Sequence, residues 1–229
     1  MQPERRVWLR AGAAALALQI AAQFAVLRSA LAAGSLAKGI HRLRGDVRVN
    51  GAPATEGMDV KAGDVITTGA GSEVLFVTGK DAFLVRANTR IEVQGTAGAL
   101  LTTGLRVLSG AVLSVFTPGE PKTIRTPTST IGIRGTAVYI EAEEARTYAC
   151  VCYGEADLAA VADPGARETV RTTHHEHPRY ILGTGAPQML MTAPVINHTD
   201  AELEMLENLV GRWPPFSPWP GESRPRQGY

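Results

Sequence analysis

The two cysteines of this chain stand two residues apart, in the segment YACVCYG at residues 148–154. The apolar character of this segment predicts a β-strand, in which side chains two apart point to the same face. The Cβ atoms of Cys150 and Cys152 should then lie about 6 to 7 Å apart. A disulfide needs about 3.8 Å, so bond closure would require a local bulge or turn. Two thiolates so placed can instead bind one soft metal ion, with bonds of about 2.3 Å.

Histidines that follow the cysteines supply further candidate ligands. His174, His175 and His177 lie in one short run and are three of the five histidines, while His198 stands further on, beside Asp200. Cysteines from a strand and histidines from a following loop predict a Cys2His2 site for zinc, copper or iron. The ligands predicted from the sequence are therefore the two cysteines together with His174, His175 and His177.

Other interpretations of these residues remain open. The spacing matches no standard zinc finger, and a histidine-rich run before Pro178 is also typical of a solvated loop. The cysteines could equally be buried thiols or an unusual disulfide. Thioethers from Met189 and Met191 would favour copper if the fold brought them close.

Catalytic motifs are not evident. Ser109 and Ser129 lack a Gly-x-Ser-x-Gly elbow, and the sequence contains neither a His-Glu-x-x-His run nor a phosphate-binding glycine loop. The carboxylates near Glu141 and Asp157 are typical of exposed strand ends rather than of a glycosidase pair. We therefore predict that the protein is not an enzyme.

Short apolar runs separated by Gly, Asn, Asp or Pro predict the elements that position these residues. The candidate strands are 41–49, 64–68, 73–78, 82–86, 90–94, 105–108, 111–116, 122–126, 136–141, 146–153, 156–161, 169–173 and 179–182. The fold class expected from this pattern is mainly β: a short-stranded sandwich or roll, or a short solenoid, with one C-terminal helix.

The predicted helix follows a capping box over residues 199–202 and carries an apolar stripe of Leu203, Leu206 and Val210. About three turns of helix are marginal alone, so the stripe should dock on the β-domain. The proline-rich segment 213–220 then forms either a strap over the domain or a polyproline-like ligand for a partner.

The N-terminus has the pattern of an export signal over residues 1–32. A basic region precedes an alanine-rich apolar run, and Ala30 and Ala32 mark the cleavage site. The pair Arg5 and Arg6 is typical of the twin-arginine pathway, whose passengers cross the membrane folded. An uncleaved membrane anchor is the alternative, although the run is only weakly apolar.

Charge limits the class of partner. Without residues 1–32 the chain loses four arginines and one glutamate, so 23 basic and 22 acidic residues become 19 and 21. A near-neutral chain with scattered lysines argues against nucleic acid as a partner. No second long apolar run exists, so we expect no stable membrane span after processing.

Two motifs frame the centre of the chain. GDVITTG at residues 63–69 opens a region of short apolar segments, and TPTSTIGIRGT at residues 126–136 closes it. The order of these motifs resembles the FecR domain, a β-rich module of exported bacterial sensors, with the similar core at about residues 60–140. The glycines of both motifs are expected to turn the backbone at strand starts rather than to bind a ligand.

The resemblance implies a periplasmic, non-catalytic module that binds or senses an envelope protein or a small ligand. A metal-binding periplasmic protein is the first alternative, and an envelope scaffold that contacts glycan or an outer-membrane protein is the second. We expect no transmembrane sigma regulation, because nothing here resembles the regulatory segment of the best-known members. The predicted organisation is a signal at 1–32, a β-domain at 33–185, a segment with a docked helix at 186–212 and a tail at 213–229.

Overall fold

The computed structural model describes residues 38–185 and 187–217. The predicted export signal, with Arg5, Arg6, Ala30 and Ala32, lies outside the described residues, as does the end of the proline-rich tail. Within the described ranges, no helix combines the length and the apolar character that crossing a membrane requires.

Fourteen strands and one helix make up the described fold, which is mainly β, as the sequence predicts. The strands are β1 (Gly39–Arg44), β2 (Val47–Val49), β3 (Ala52–Pro53), β4 (Val65–Thr68), β5 (Glu73–Thr78), β6 (Asp81–Val85), β7 (Arg90–Gly95), β8 (Thr102–Val115), β9 (Pro121–Arg125), β10 (Ser129–Ala142), β11 (Arg146–Ala160), β12 (Arg167–Thr172), β13 (Arg179–Leu182) and β14 (Leu190–Thr192). The helix is α1 (Asp200–Leu209).

One continuous sheet folds over itself into two layers. The outer layer has the strand order β1-β5-β6-β8-β10-β11-β13-β14, and the inner layer has the order β3-β2-β4-β7-β8-β9-β10-β11-β12. All neighbouring strands are antiparallel except β8 and β9. The three long strands β8, β10 and β11 run through both layers and join them.

Each long strand turns from one layer to the other at a glycine with positive φ: Gly110, Gly135 and Gly154. At Gly110 the φ is +84°, and a Cβ atom would lie only 2.2 Å from Oγ1 of Thr89. Only glycine fits such a bend without strain. The sequence prediction was wrong here, because it divided β8 and β11 each into two strands and began β10 seven residues late.

The outer layer is buried on both faces, and the side chains of its strands alternate between these two faces. One face meets the inner layer in a core that includes Phe76, Phe83 and Ile140. The opposite face carries a second apolar cluster, which includes Leu84 and Leu113. Strand β5 lies between β1 and β6, as its two-sided apolar pattern predicts.

The C-terminal arm, residues 193–217, covers that second cluster. Its helix α1 begins with the predicted capping box, in which Thr199 and Glu202 bond each other's backbone amides. The predicted stripe of Leu203, Leu206 and Val210 is buried in the cluster. Phe216 packs beside Tyr153, with ring centroids 6.0 Å apart. The arm is thus a third layer, and the cysteines lie beneath it.

Candidate metal centre

Strand β11 places both cysteine side chains on the outer face, within the cluster that the C-terminal arm covers. Both are fully buried free thiols, and they share a face as the sequence predicts. Val151 pairs with Val138 and Tyr153 pairs with Ala137, so Cys152 is the extra residue of a β-bulge. The bulge frees the carbonyl group of Cys152 from the ladder.

That carbonyl group positions His175. The backbone N–H of His175 donates to it at 2.9 Å, in the loop between β12 and β13. His175 has a φ of +56°, a left-handed conformation that costs free energy outside glycine and is often found at functional sites. The Glu176 carboxylate holds the loop by accepting from the hydroxyl of Thr172 at 2.8 Å and from the amide of Thr173 at 2.7 Å.

His198 reaches the same place from the C-terminal arm. It lies just before the N-cap of α1, and its ring stacks on Tyr139 with centroids 4.7 Å apart. The residue is only 8 % exposed. The helix start therefore fixes where this imidazole enters the cluster.

The four side chains converge on one point. One ligand atom from each of Cys150, Cys152, His175 and His198 lies within 4.8 Å of all the others. Sγ of Cys150 is 3.4 Å from Nδ1 of His175, which is 3.0 Å from Nε2 of His198. A tetrahedral zinc ion, with bonds of about 2.0 Å to nitrogen and 2.3 Å to sulfur, separates its ligand atoms by about 3.3 to 3.8 Å. The separations of 3.0 and 3.4 Å lie close to this range, and no separation in the group exceeds its upper end by more than about 1 Å.

Hydrogen bonds on the far side of each imidazole set which nitrogen faces the cluster. Nε2 of His175 donates to Oδ1 of Asp200 at 3.0 Å, and Nδ1 of His198 donates to the carbonyl oxygen of Ile196 at 2.6 Å. Carboxylates and carbonyl groups orient metal-binding histidines in the same way. In neutral rings the two facing nitrogens are then both lone-pair atoms. Their 3.0 Å contact needs a cation between them, either a proton or a metal ion.

The thiols are electrostatically unequal. A hydrogen bond from Cys152, assisted by His175 and His198, lowers the pKa of the Cys150 thiol well below its usual range. Burial raises the pKa of Cys152. Burial alone would lower the pKa of His175, but Cys150 and Asp200 raise it overall. The cluster thus favours one thiolate before any ion binds, and metals bind the thiolate form of cysteine.

The structure brings together three of the five predicted ligands, and His198 takes the fourth position. His174 points outward, is 47 % exposed and donates to Asp200 at 2.9 Å. His177 is exposed and belongs to neither cluster of potential ligands among the described residues. The structure therefore does not bring His174 and His177 to the four-ligand point, and His174 instead forms a second group with His175 and Asp200. The signal for His198 was its place beside a capping box, which anchors a histidine more firmly than an open loop does.

The methionines lie elsewhere. Met191 is 46 % exposed on β14, and its register partner Tyr180 on β13 pairs in turn with Tyr148. Two strand spacings therefore separate Met191 from β11, so it supplies no thioether to the cluster. Met189 packs against the core between the two layers of the sheet. The donors that converge are two sulfurs and two nitrogens, a set typical of zinc.

Comparison with known proteins adds little to this picture. The chain matches no known protein family and no curated protein. Two crystal structures of a candidate anti-sigma factor from Parabacteroides distasonis are similar in fold, each with 11 % sequence identity and a TM-score of 0.45. The match covers 56 % of this chain and 58 % of that protein, so it spans little more than half of either. A likeness this loose carries no argument about function.

Proposed function

We propose that this chain is an exported, non-catalytic binding module that holds one transition-metal ion, preferably zinc, on Cys150, Cys152, His175 and His198. The observation that carries the proposal is the convergence of these four ligand atoms within 4.8 Å. Two facing imidazole nitrogens and a thiolate beside them form a site that only a cation completes.

The ligand count supports a role without catalysis. Catalytic zinc keeps one coordination position open for water or substrate, whereas structural zinc is closed by four protein ligands. Two sulfurs and two nitrogens fill a tetrahedron, and both sulfurs are fully buried. An ion bound here would stabilise or report a conformation, and it would have no free position to activate water.

The export signal and the FecR resemblance complete the proposal. A periplasmic sensing module agrees with both, and its partner is an envelope protein or a small ligand. The twin-arginine pattern fits a passenger that takes up its metal and folds before it crosses the membrane. The scaffold alternative, with contacts to glycan or an outer-membrane protein, stays a prediction that no contact in the described residues favours.

Elemental analysis of the protein isolated from its native host tests the proposal. We expect one metal equivalent in the wild-type chain and none in the Cys150→Ser/Cys152→Ser variant. His198→Ala should also lose the metal, whereas His177→Ala, which changes an exposed histidine outside the cluster, should keep it. Absence of metal from the wild type after incubation with zinc, or its retention by the cysteine variant, would overturn the proposal.

A further inference from the structure

The ligands of the candidate metal centre come from two separable parts of the fold. Cys150, Cys152 and His175 belong to the β-domain, while His198 comes from the C-terminal arm. Asp200, which orients His175, also belongs to the arm and is the first residue of α1. A metal ion at this point therefore ties the arm to the sheet.

We propose that metal binding at this centre latches the C-terminal arm onto the outer layer of the sheet, and that loss of the metal releases the arm. The inference rests on the proposed function and concerns the regulation of the same site. Release would uncover the apolar face that includes Leu84 and Leu113. The protein would then report metal supply as a change of surface.

The position of the ligand in the arm supports this coupling. His198 directly precedes the N-cap Thr199, so a bound ion would fix the first turn of α1. A helix of ten residues is too short to persist without a partner surface. The ion would hold one turn of the helix in place, and forming the first turn is the costly step of helix formation.

The arm makes further hydrogen bonds to the sheet near the N-terminal end of α1. Arg86 donates to Glu202 at 2.8 Å and to the carbonyl oxygen of Asn197 at 3.2 Å. The hydroxyl of Tyr148 donates to the carbonyl oxygen of Pro194 at 2.9 Å. These bonds are partly exposed, so water competes for them when the arm loosens. Near the other end of the helix, Glu207 of the arm accepts a buried hydrogen bond from the hydroxyl of Tyr153 on β11. A metal ion would supply a second buried polar contact, at the N-terminal end of α1.

The facing imidazoles explain why the empty site would favour release. Their nitrogens are 3.0 Å apart, and two sulfurs crowd the same point. Without a metal ion, only a proton can fill the contact between His175 and His198, and the arm is then held there by a single hydrogen bond. With a metal ion, His198 binds the same ion as Cys150, Cys152 and His175, so the attachment of the arm is stronger.

Hydrogen–deuterium exchange of the full chain tests the latch. Three samples are compared: metal-loaded, stripped by a chelator with the loss confirmed by elemental analysis, and reloaded with zinc. Amides of residues 193–217 should exchange at least about tenfold faster after stripping and recover on reloading. Strands β4 and β7 of the inner layer should change little. Unchanged exchange in the arm after confirmed loss of metal would overturn the latch and leave the metal site intact.

Thermodynamic linkage supplies a second readout with a matched control. If zinc stabilises the docked arm, then loosening the arm must weaken zinc binding by the same factor. Val210→Ala truncates a buried side chain of the arm, and Val93→Ala truncates a buried side chain of the inner core. We expect the first variant to lower zinc affinity about tenfold and the second to leave it unchanged.

Each outcome separates the two proposals. Equal zinc affinities for the two valine variants would overturn the latch while the metal site stands. If the wild-type chain binds no zinc at all, the proposed function fails, and the latch fails with it.

Discussion

Asp200 accepts a hydrogen bond from Nε2 of His175 at 3.0 Å, although one residue opens a helix and the other lies in a loop 25 residues earlier. The bond turns Nδ1 of His175 toward Cys150. Asp200 also accepts from His174, so one carboxylate braces two neighbouring imidazoles.

Replacing Asp200 with asparagine should therefore weaken metal binding while leaving all four ligands in place. Loss of a carboxylate that orients a histidine ligand typically lowers metal affinity about 10- to 100-fold. Zinc competition with a chromophoric chelator measures the effect. Asp163→Asn, a change in the turn after β11, is the matched control and should bind zinc as the wild type does. Equal affinity of the two variants would show that Asp200 does not orient the site.

A buried ion pair elsewhere in the fold gives a prediction about stability. Lys122 and Asp81 are each 3 % exposed and lie 3.1 Å apart, with further hydrogen bonds from Thr102 and Thr117 to Asp81. Lys122→Met would leave the Asp81 carboxylate buried without its cation. We expect the free energy of unfolding in urea to fall by about 3 to 5 kcal/mol. The double variant Lys122→Met/Asp81→Asn should recover part of this loss, and an equally unstable double variant would contradict the pairing.

The pair of Glu168 and Arg179 predicts a pH dependence. Two bonds of 2.6 and 2.8 Å join them between β12 and β13, the strands that flank the loop with His175. The Arg179 guanidinium lowers the pKa of Glu168 below its usual range, despite an opposing contribution from burial. The ionised form is therefore favoured by folding, and its stabilisation is present above the unfolded pKa and lost as pH falls through the folded one.

Thermal unfolding of Glu168→Gln checks that sign. At pH 7 the variant should melt below the wild type, and the difference should shrink as the pH is lowered below about 4. Glu144→Gln, which changes an exposed turn residue, serves as the control. A gap that stays constant or widens in acid would contradict the prediction.

The export prediction can be tested without structural data. Changing Arg5 and Arg6 to lysine should stop delivery to the periplasm, because the twin-arginine pathway reads the arginine pair. Cell fractionation and immunoblotting measure the distribution of the protein. Arg28→Lys changes an arginine outside the pair and should leave delivery unchanged. Normal delivery of the double-lysine variant would exclude this pathway.

Local patterns predicted much of the fold because they depend on near neighbours. A continuous apolar run identified β5, and the capping box identified the start of α1. The prediction failed where a single strand bends between layers. Gly110 looks like a turn because glycine also ends strands, and only the pairing of both halves of β8 shows that the strand continues.

The candidate site was predictable in part. Alternation along a strand placed Cys150 and Cys152 on one face, which needs no tertiary information. The choice among histidines was not predictable, since His174 and His175 are adjacent and both bond Asp200, while only His175 also faces Cys150. The φ of +56° at His175 and its bond to Cys152 decide which of them turns inward.

The sequence by itself determined a β-rich chain with one capped C-terminal helix and a pair of cysteines on a common face, because these features follow from spacing within a few residues. Only the tertiary structure decided that His198 joins the cysteines from 46 residues away along the chain from Cys152. The C-terminal arm closes that distance when it docks on the outer layer. This docking depends on the apolar surface of strands that are far apart in sequence. Burial of that surface, rather than any local motif, brings the four ligands to one point.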